Sequence, residues 1–97
     1  MKYEIVLAPE VIQDLKRLSA RNRATVRETI EKHLRFEPEK LSKSRIKRLR
    51  GLKRPQYRLR VGDIRVFYDV AEGTVEVFAV IQKSDAAEWL AEIGEVE

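Results

Sequence analysis

The chain has 97 residues, of which 43% are hydrophobic and 37% are charged, and it contains no cysteine. This length and balance are typical of a globular protein rather than a disordered one, so we predict a single domain over residues 1–97. Disulfides and thiolate metal sites are excluded because there is no cysteine. No stretch has the apolar character of a signal peptide or a membrane span, so we expect a cytoplasmic protein with no membrane partner.

Positive charge is concentrated in one segment of the chain. Residues 40–62 contain ten Lys or Arg side chains and no Asp or Glu, whereas the other residues contain ten basic and sixteen acidic side chains. The formal net charge of +4 is therefore +10 in this segment and −6 in the rest. Such a block usually binds a polyanion, and its pattern is that of strand and loop rather than amphipathic helix. Nucleic acid is therefore favoured over a membrane surface as its partner.

The first part of the chain predicts a strand and two helices. Alternating apolar residues predict the strand over residues 2–7. Apolar residues at helical spacing then predict an amphipathic helix over residues 9–19 and a second helix that ends before Pro38. A polar break over residues 19–23 separates them, with Asn22 as the predicted N-cap. Together the two helices predict an αα-hairpin with a basic outer face.

The basic segment ends in a predicted β-hairpin, after a loop with a short strand or turn near its middle. Residues 57–61 and 64–70 both alternate with period two, on either side of a glycine-containing turn. This turn pairs Arg60 with Arg65 directly across the strands, and it places Arg58 on the same face. The sheet therefore has one apolar face and one face that contains three arginines.

The three arginines on one face require an explanation, because like charges opposite each other destabilise a strand pair by up to about 1 kcal/mol. One explanation is an anionic ligand between them. The other is a solvated face whose arginines extend into water or pair with Asp69, Glu76 or a helix carboxylate. The sequence leaves both explanations open.

A third strand over residues 75–81 completes a predicted meander. A two-residue turn before it predicts three pairs, which are Val70 with Val75, Tyr68 with Val77, and Phe67 with Phe78. The core face of the meander, which the two helices are expected to cover, is predicted to contain Tyr57, Leu59, Val61, Ile64, Val66, Tyr68, Val77, Ala79 and Ile81.

The rest of the chain predicts a C-terminal helix on the other face of the sheet. Ser84 or Asp85 is its predicted N-cap, and Trp89 is expected to anchor it on the sheet. Phe67 and Phe78 belong to the face that contains the arginines. They predict either packing beneath this helix, which is the commoner arrangement, or a platform on which bases stack.

His33 is the only histidine, and it lies on the second predicted helix beside the apolar stripe. A lone histidine in this position is far more often a partly exposed helix residue than a catalytic base or a ligand. One histidine and scattered carboxylates do not form a recognisable metal site, so we expect no metal.

The order of these elements resembles the RelE/ParE superfamily of toxins from bacterial type II toxin–antitoxin systems. The resemblance covers nearly the whole chain and is most specific over residues 49–68, which contain LRGL, YRLR and DIRVFY, and over residues 75–83. It implies an α+β fold of the RelE type, with a small antiparallel-meander sheet and helices packed on the sheet.

The resemblance also implies a function. RelE-like toxins bind the ribosome and cut mRNA in the A site by attack of a 2′-OH on the adjacent phosphate, without a metal or cofactor. A cognate antitoxin, expected to contribute an acidic helical segment, would hold the toxin inactive. ParE-like members of the same fold instead inhibit DNA gyrase without chemistry, and a non-toxic nucleic-acid-binding domain is a third alternative.

The implied functional residues follow from motif positions. The catalytic set comprises Arg58, Arg60, Arg65 and Lys83. The residues expected to bind ribosomal RNA are Lys47, Arg48, Arg50, Lys53 and Arg54. RelE-like nucleases usually have a further base, acid or aromatic residue after the last strand and in the final helix. Here Lys83 is the one basic candidate, and Trp89 or Leu90 occupies the tyrosine position. Tryptophan cannot exchange a proton, so either Arg60 or Lys83 acts as an acid or base, or the nuclease is weak and depends on the ribosome for alignment. The general base is unassigned.

Overall fold

A computed structural model describes residues 1–97 and confirms the α+β class. The elements in chain order are β1 (Glu4–Leu7), α1 (Pro9–Lys16), α2 (Ala20–Leu34), β2 (Ile46–Arg48), β3 (Leu52–Arg54), β4 (Tyr57–Val61), β5 (Ile64–Ala71), β6 (Thr74–Gln82), α3 (Lys83–Ile93) and β7 (Glu95–Val96). None of the helices has the length and apolar character needed to cross a membrane.

Five strands form one mixed sheet in the order β1-β6-β5-β4-β2. Strands β4, β5 and β6 are the predicted antiparallel meander. β1 extends it by pairing in parallel with β6, and β2 extends the other side by pairing antiparallel with β4. β3 and β7 form a separate two-stranded sheet. The segment predicted as a basic loop therefore contains two short strands, and one of them forms an edge of the main sheet.

The hydrophobic core lies between the main sheet and the first two helices, as predicted. It is a cluster of 16 buried residues, which includes Val11 and Leu15 of α1, Val26, Ile30 and Leu34 of α2, and Leu59, Val66, Tyr68 and Val77 of the sheet. α3 lies on the opposite face, where the ring of Trp89 stacks on Phe67 with centroids 5.0 Å apart. The arginine side of the sheet is thus partly covered by the last helix.

One register prediction is wrong because β6 contains an irregularity of the β-bulge type. The pairs nearest the turn are as predicted, Val70 with Val75 and Tyr68 with Val77. Beyond them the register shifts, and Phe67 pairs with Ala79 instead of Phe78. The extra residue in β6 moves the side chains that follow it to the opposite face of the sheet. As a result Val80 joins the core, whereas Ala79 and Ile81, both predicted for the core face, pair with residues of the arginine face.

The predicted helix caps are also wrong. Ser19 caps α2, since its Oγ accepts a hydrogen bond from the backbone N–H of Asn22 at 3.1 Å, and Asn22 itself lies inside the helix. α3 begins at Lys83, directly after β6 and without a side-chain cap, so Ser84 and Asp85 lie in its first turn. The start of α3 is therefore set by the end of the strand rather than by a capping side chain.

A buried carboxylate connects α1 to the irregular part of β6. Asp14 is 9% exposed, and its Oδ2 accepts a hydrogen bond from the backbone N–H of Val80 at 3.0 Å. β1 pairs with β6 only as far as Val77, so the N–H of Val80 has no strand partner on that side. The carboxylate of Asp14 satisfies this donor in place of a strand.

Candidate functional site

Three arginines lie on one face of β4 and β5, and we refer to Arg58, Arg60 and Arg65 as the arginine cluster. Arg60 pairs directly with Arg65, and Arg58 pairs with Phe67, which confirms the predicted register of the hairpin. The turn between the strands depends on Gly62, whose φ of +60° is one that residues with a side chain rarely adopt. The sharp turn therefore brings Arg60 and Arg65 opposite each other.

The arginine cluster has no acidic partner. None of the ion pairs in the protein involves Arg58, Arg60 or Arg65. Asp69, one of the carboxylates considered as a partner, accepts a hydrogen bond from Nε of Arg54 at 3.1 Å instead. The positive charges of the cluster are therefore not neutralised within the protein, and a bound anion would relieve their repulsion.

Arg65 is fixed by the backbone of the turn. It is only 7% exposed, and its Nη1 donates hydrogen bonds to the carbonyl oxygens of Gly62 at 2.8 Å and Ile64 at 3.0 Å. These contacts use one of the three guanidinium nitrogens. Arg65 is thus both a structural residue of the turn and a guanidinium group held in a fixed position.

Arg58 has a donor without an acceptor. Its Nε is buried and makes no hydrogen bond. Burial, together with the positive charges of Arg65 and Arg60, lowers the pKa of Arg58. Leaving a buried donor unpaired costs about 1–3 kcal/mol, so such groups often mark a functional site. An oxyanion next to Arg58 would compensate its positive charge.

Lys83 lies at the same end of the sheet as the Arg60–Arg65 pair. Its backbone N–H donates to the carbonyl oxygen of Asp63, in the hairpin turn, at 2.7 Å. Ile81, two residues earlier, pairs with Arg65 across the strands. The side chain of Lys83 is exposed at the start of α3. Lys83 therefore begins α3 next to the hairpin turn, at the end of the sheet where the Arg60–Arg65 pair lies.

The basic residues of the preceding segment occupy different environments. Lys47 pairs with Arg58 across β2 and β4, so it extends the arginine face. The guanidinium of Arg48 lies on the other face, over the ring of Tyr57 at 5.0 Å. Arg50 and Lys53 are exposed. Arg54 is already paired with Asp69, as described above, and lies over the ring of Phe78 at 5.3 Å.

Arg45 also belongs to this surface, and the sequence interpretation did not include it among the site residues. Its carbonyl oxygen accepts a hydrogen bond from the N–H of Arg60 at 2.8 Å, and its Nη1 donates to the carbonyl oxygen of Arg60 at 3.2 Å. The sequence signal was the alternation of Arg45, Ile46 and Lys47, which continues β2 by one residue.

The aromatic residues on this side of the sheet pack beneath the last helix. Phe67 is 1% exposed and lies under Trp89, with the two ring planes 14° apart. Phe78 is half-buried beneath Arg54. The packing alternative is therefore correct for Phe67, whose ring face is not available to a base.

The three arginines of the cluster differ in exposure, since Arg60 is exposed, Arg58 is half-buried and Arg65 is buried. None of the five main cavities is lined by a residue of the cluster. Small-molecule sites are normally concave and enclosed, whereas an extended polymer can bind an open basic surface. No three or more His, Asp or Glu side chains come together as a set of metal ligands.

Comparisons with known proteins identify similar chains. A family model described as the ParE toxin of type II toxin–antitoxin systems, parDE, matches residues 5–87. A chain of the toxin–antitoxin complex RelBE2 from Mycobacterium tuberculosis has a TM-score of 0.70 and 25% identity, over 84% of this chain and 99% of that one. A search of curated proteins finds no significant match.

Two further solved structures are similar in fold. A chain of the archaeal RelE–RelB complex from Pyrococcus horikoshii OT3 has a TM-score of 0.70 and 24% identity, over 86% of this chain and 97% of that one. A substituted form of the Escherichia coli toxin RelE in the free state has a TM-score of 0.59 and 19% identity, over 95% and 94% of the two chains.

Proposed function

The chain belongs to the RelE/ParE superfamily of toxins from type II toxin–antitoxin systems, and from this premise we propose that it is a ribosome-dependent endoribonuclease that cuts mRNA in the A site. The observation that supports this proposal most directly is the arginine cluster, which brings three guanidinium groups together on one face of the sheet without an acidic partner. The toxin would block translation by destroying the message on the ribosome.

The proposed reaction is an intramolecular phosphoryl transfer. The 2′ oxygen of one nucleotide forms a bond to the adjacent phosphorus, and the bond from phosphorus to the 5′ oxygen of the next nucleotide breaks. The products are a 2′,3′-cyclic phosphate and a 5′-OH. The transition state concentrates negative charge on the phosphoryl oxygens, and guanidinium groups stabilise this charge without taking part in proton transfer.

The three arginines suit different parts of this task. Arg65 is held by the carbonyl oxygens of Gly62 and Ile64, so its position costs little reorganisation when the phosphate binds. Arg60 is exposed and lies opposite it, where it can approach the same phosphate. The half-buried guanidinium of Arg58 adds a third positive charge on the same face. Together they would stabilise the extra charge that develops in the transition state.

Lys83 is the proposed proton donor to the leaving 5′ oxygen. Its ammonium is exposed at the end of β6, near the hairpin turn. The proton of the 2′-OH must also be removed, and arginine is a poor base because it stays protonated at neutral pH. We therefore assign that step to water or RNA groups of the ribosomal site, which would make cleavage depend on the ribosome.

Two kinds of partner follow from this proposal. Ribosomal RNA would be bound by the basic residues Lys47, Arg48, Arg50, Lys53 and Arg54. Because its target is the ribosome, the toxin would act in the cytoplasm. A cognate antitoxin would inhibit it, by laying an acidic helical segment over the arginine cluster or by displacing α3. Chains of toxin–antitoxin complexes are among the similar solved structures, which supports an antitoxin as the partner.

Translation in vitro followed by primer extension tests the proposal. We expect breaks in phase with codons that require ribosomes, disappear in Arg60→Ala and Arg65→Ala, and persist in Arg27→Ala. Arg27 is a suitable control because it is an exposed arginine of α2, away from the cluster.

The same preparation should be tested on DNA gyrase, because the matching family model describes ParE toxins. An intact message together with loss of supercoiling by purified gyrase would overturn the nuclease proposal. It would establish the ParE-like alternative, in which the toxin binds gyrase and performs no chemistry.

A further inference from the structure

A second basic surface lies where the connection to β2 crosses the end of α2. It is a shallow depression of about 450 Å³ lined by Lys32 and His33 of α2, by Glu37, Lys40, Ser42, Ser44 and Arg45 of the connection, and by Ile46 of β2. We refer to it as the His33 depression. Arg45 borders both surfaces, since it also contacts the backbone of Arg60, and the other lining residues belong neither to the arginine cluster nor to the residues proposed above to bind ribosomal RNA.

The His33 depression is positively charged. Its one carboxylate, Glu37, pairs with Lys40 at 3.5 Å. Lys32 and Arg45 take part in no ion pair. The C-terminal end of a helix contributes a partial charge of about −0.5, which does not offset two unpaired cations. The depression therefore attracts an anion even when His33 is neutral.

His33 lies half-buried among these cations. The titratable groups that face it are Lys32 from its own helix and Glu37, Lys40 and Arg45 from the connection, while the β2 residue Ile46 has none. Burial, with the positive charges of Arg45 and Lys32, lowers the pKa of His33. A bound anion would act in the opposite direction, because it favours the charged imidazolium. Anion binding and protonation of His33 should therefore be coupled.

Hydroxyl groups complete a set of donors suited to an oxyanion. Oγ of Ser42 accepts hydrogen bonds from the backbone N–H groups of Arg45 at 3.0 Å and Ile46 at 3.1 Å. Since both bonds use the oxygen as an acceptor, its hydroxyl hydrogen remains available to donate. Ser44 is exposed beside it. Ammonium, guanidinium, imidazolium and hydroxyl donors around one depression match the acceptor oxygens of a phosphate group.

We propose that the His33 depression is a second phosphate-binding site, which binds a free phosphate group or a backbone phosphodiester of RNA and takes up a proton at His33 when it does so. If the ligand is a phosphodiester, the site is a further contact to ribosomal RNA and rests on the proposed function. If it is a free phosphate group, the site does not depend on that function.

Proton NMR of His33 tests this proposal, because a protein with one histidine gives unambiguous imidazole signals. The pH titration of His33 is recorded in chloride, in inorganic phosphate, and with a short oligouridylate that lacks terminal phosphates, all at one ionic strength. We expect phosphate or the oligonucleotide to raise the midpoint by at least about half a pH unit, which corresponds to about threefold tighter binding by the protonated form. A shift with only one of them identifies which source of phosphate is bound.

Variants assign the effect to this site. Arg45→Gln and Lys32→Gln should each reduce the shift, and Lys32 is an exposed helix residue whose replacement leaves β2 intact. Arg60→Ala should keep the shift of the His33 midpoint even though it is expected to abolish cleavage. The titration therefore tests the phosphate site separately from the nuclease proposal. An equal midpoint in chloride, phosphate and oligonucleotide would overturn the site, as would a full shift in both Arg45→Gln and Lys32→Gln.

Discussion

Single residues of this protein show how a polar group can be fixed by its surroundings or left available for a ligand. Tyr68 is fully buried, and its hydroxyl donates to the carbonyl oxygen of Pro38 at 2.6 Å. Burial also raises the pKa of this phenol, so it remains a donor across the ordinary pH range. Arg58 differs, because its buried Nε has no acceptor. The first group serves stability, and the second is a polar group that the fold leaves without a partner.

Replacement of Tyr68 by phenylalanine tests the structural role of its hydroxyl. Tyr68→Phe leaves the carbonyl of Pro38 without its donor, so we expect the free energy of unfolding to fall by about 1–3 kcal/mol in urea denaturation. The matched control is Tyr57→Phe. Its hydroxyl contacts the exposed carboxylate of Glu39 at 3.2 Å, and we expect a smaller loss. Equal losses would show that burial of the hydrogen bond is unimportant.

His33 should make stability depend on pH. Its folded-state pKa is below the ordinary value of 6.5, so the unfolded chain binds the proton more readily. The contribution of neutral His33 is therefore fully present above about pH 6.5 and is lost as pH falls toward the folded-state pKa. In chloride, we expect Tm to fall between pH 7 and pH 5, and to fall less in His33→Gln. If Tm depended on pH identically in the two proteins, the pKa of His33 would not be lowered in the folded state.

At the level of elements, the hairpin was predictable and the irregularity in β6 was not. Alternation on both sides of a glycine turn determines the pairing of Arg60 with Arg65. The stretch over residues 77–81 is apolar throughout, so no polar residue marks the point where the alternation reverses. Asp14 could have been found, because it lies at helical spacing between Val11 and Leu18 and so on the buried side of α1.

The start of α3 was not predictable from capping signals for a different reason. The helix follows β6 without a connecting loop, so no residue has the freedom to act as a side-chain cap. Ser84 and Asp85 then serve as first-turn residues, where acidic groups favour the positive end of the helix. Tertiary contacts, among them the stack of Trp89 on Phe67, hold the helix on the sheet.

Fluorescence reports directly on this contact because Trp89 is the only tryptophan. In Phe67→Leu the indole loses its aromatic neighbour, so we expect a red-shifted emission and greater quenching by acrylamide. We also expect a loss of about 1 kcal/mol from the stack, in addition to the loss from reduced burial. Phe36→Leu, at a residue that is 57% exposed, should leave the emission unchanged. Unchanged emission in Phe67→Leu would show that α3 does not depend on this contact.

The whole molecule is organised by an uneven distribution of charge. The basic segment forms one edge of the main sheet through β2 and continues into β4. The composition predicted a polyanionic partner from this segment. It could not predict that Arg54 pairs with Asp69, because that pair joins β3 to β5 and depends on the folded arrangement.

Binding to ribosomes should therefore weaken steeply with salt. Each phosphate contact contributes about −0.7 to −0.9 to the slope of log affinity against log salt. We expect Arg50→Gln and Lys53→Gln each to reduce the magnitude of the slope by about 0.7 to 0.9, which is the contribution of one phosphate contact. Both residues are exposed and neither forms an ion pair. Arg54→Gln should reduce it less, because Arg54 is paired within the protein. Equal effects at the three positions would contradict this distinction.

The central claim is that the arginine cluster accelerates cleavage of mRNA on the ribosome. It is tested most directly by single-turnover cleavage rates on programmed ribosomes at saturating toxin. We expect Arg60→Ala and Arg65→Ala to slow the chemical step by about 10²-fold or more, because each removes a guanidinium group that would stabilise the transition state, and Arg27→Ala to keep the original rate. Unchanged single-turnover rates in Arg60→Ala and Arg65→Ala would contradict the claim.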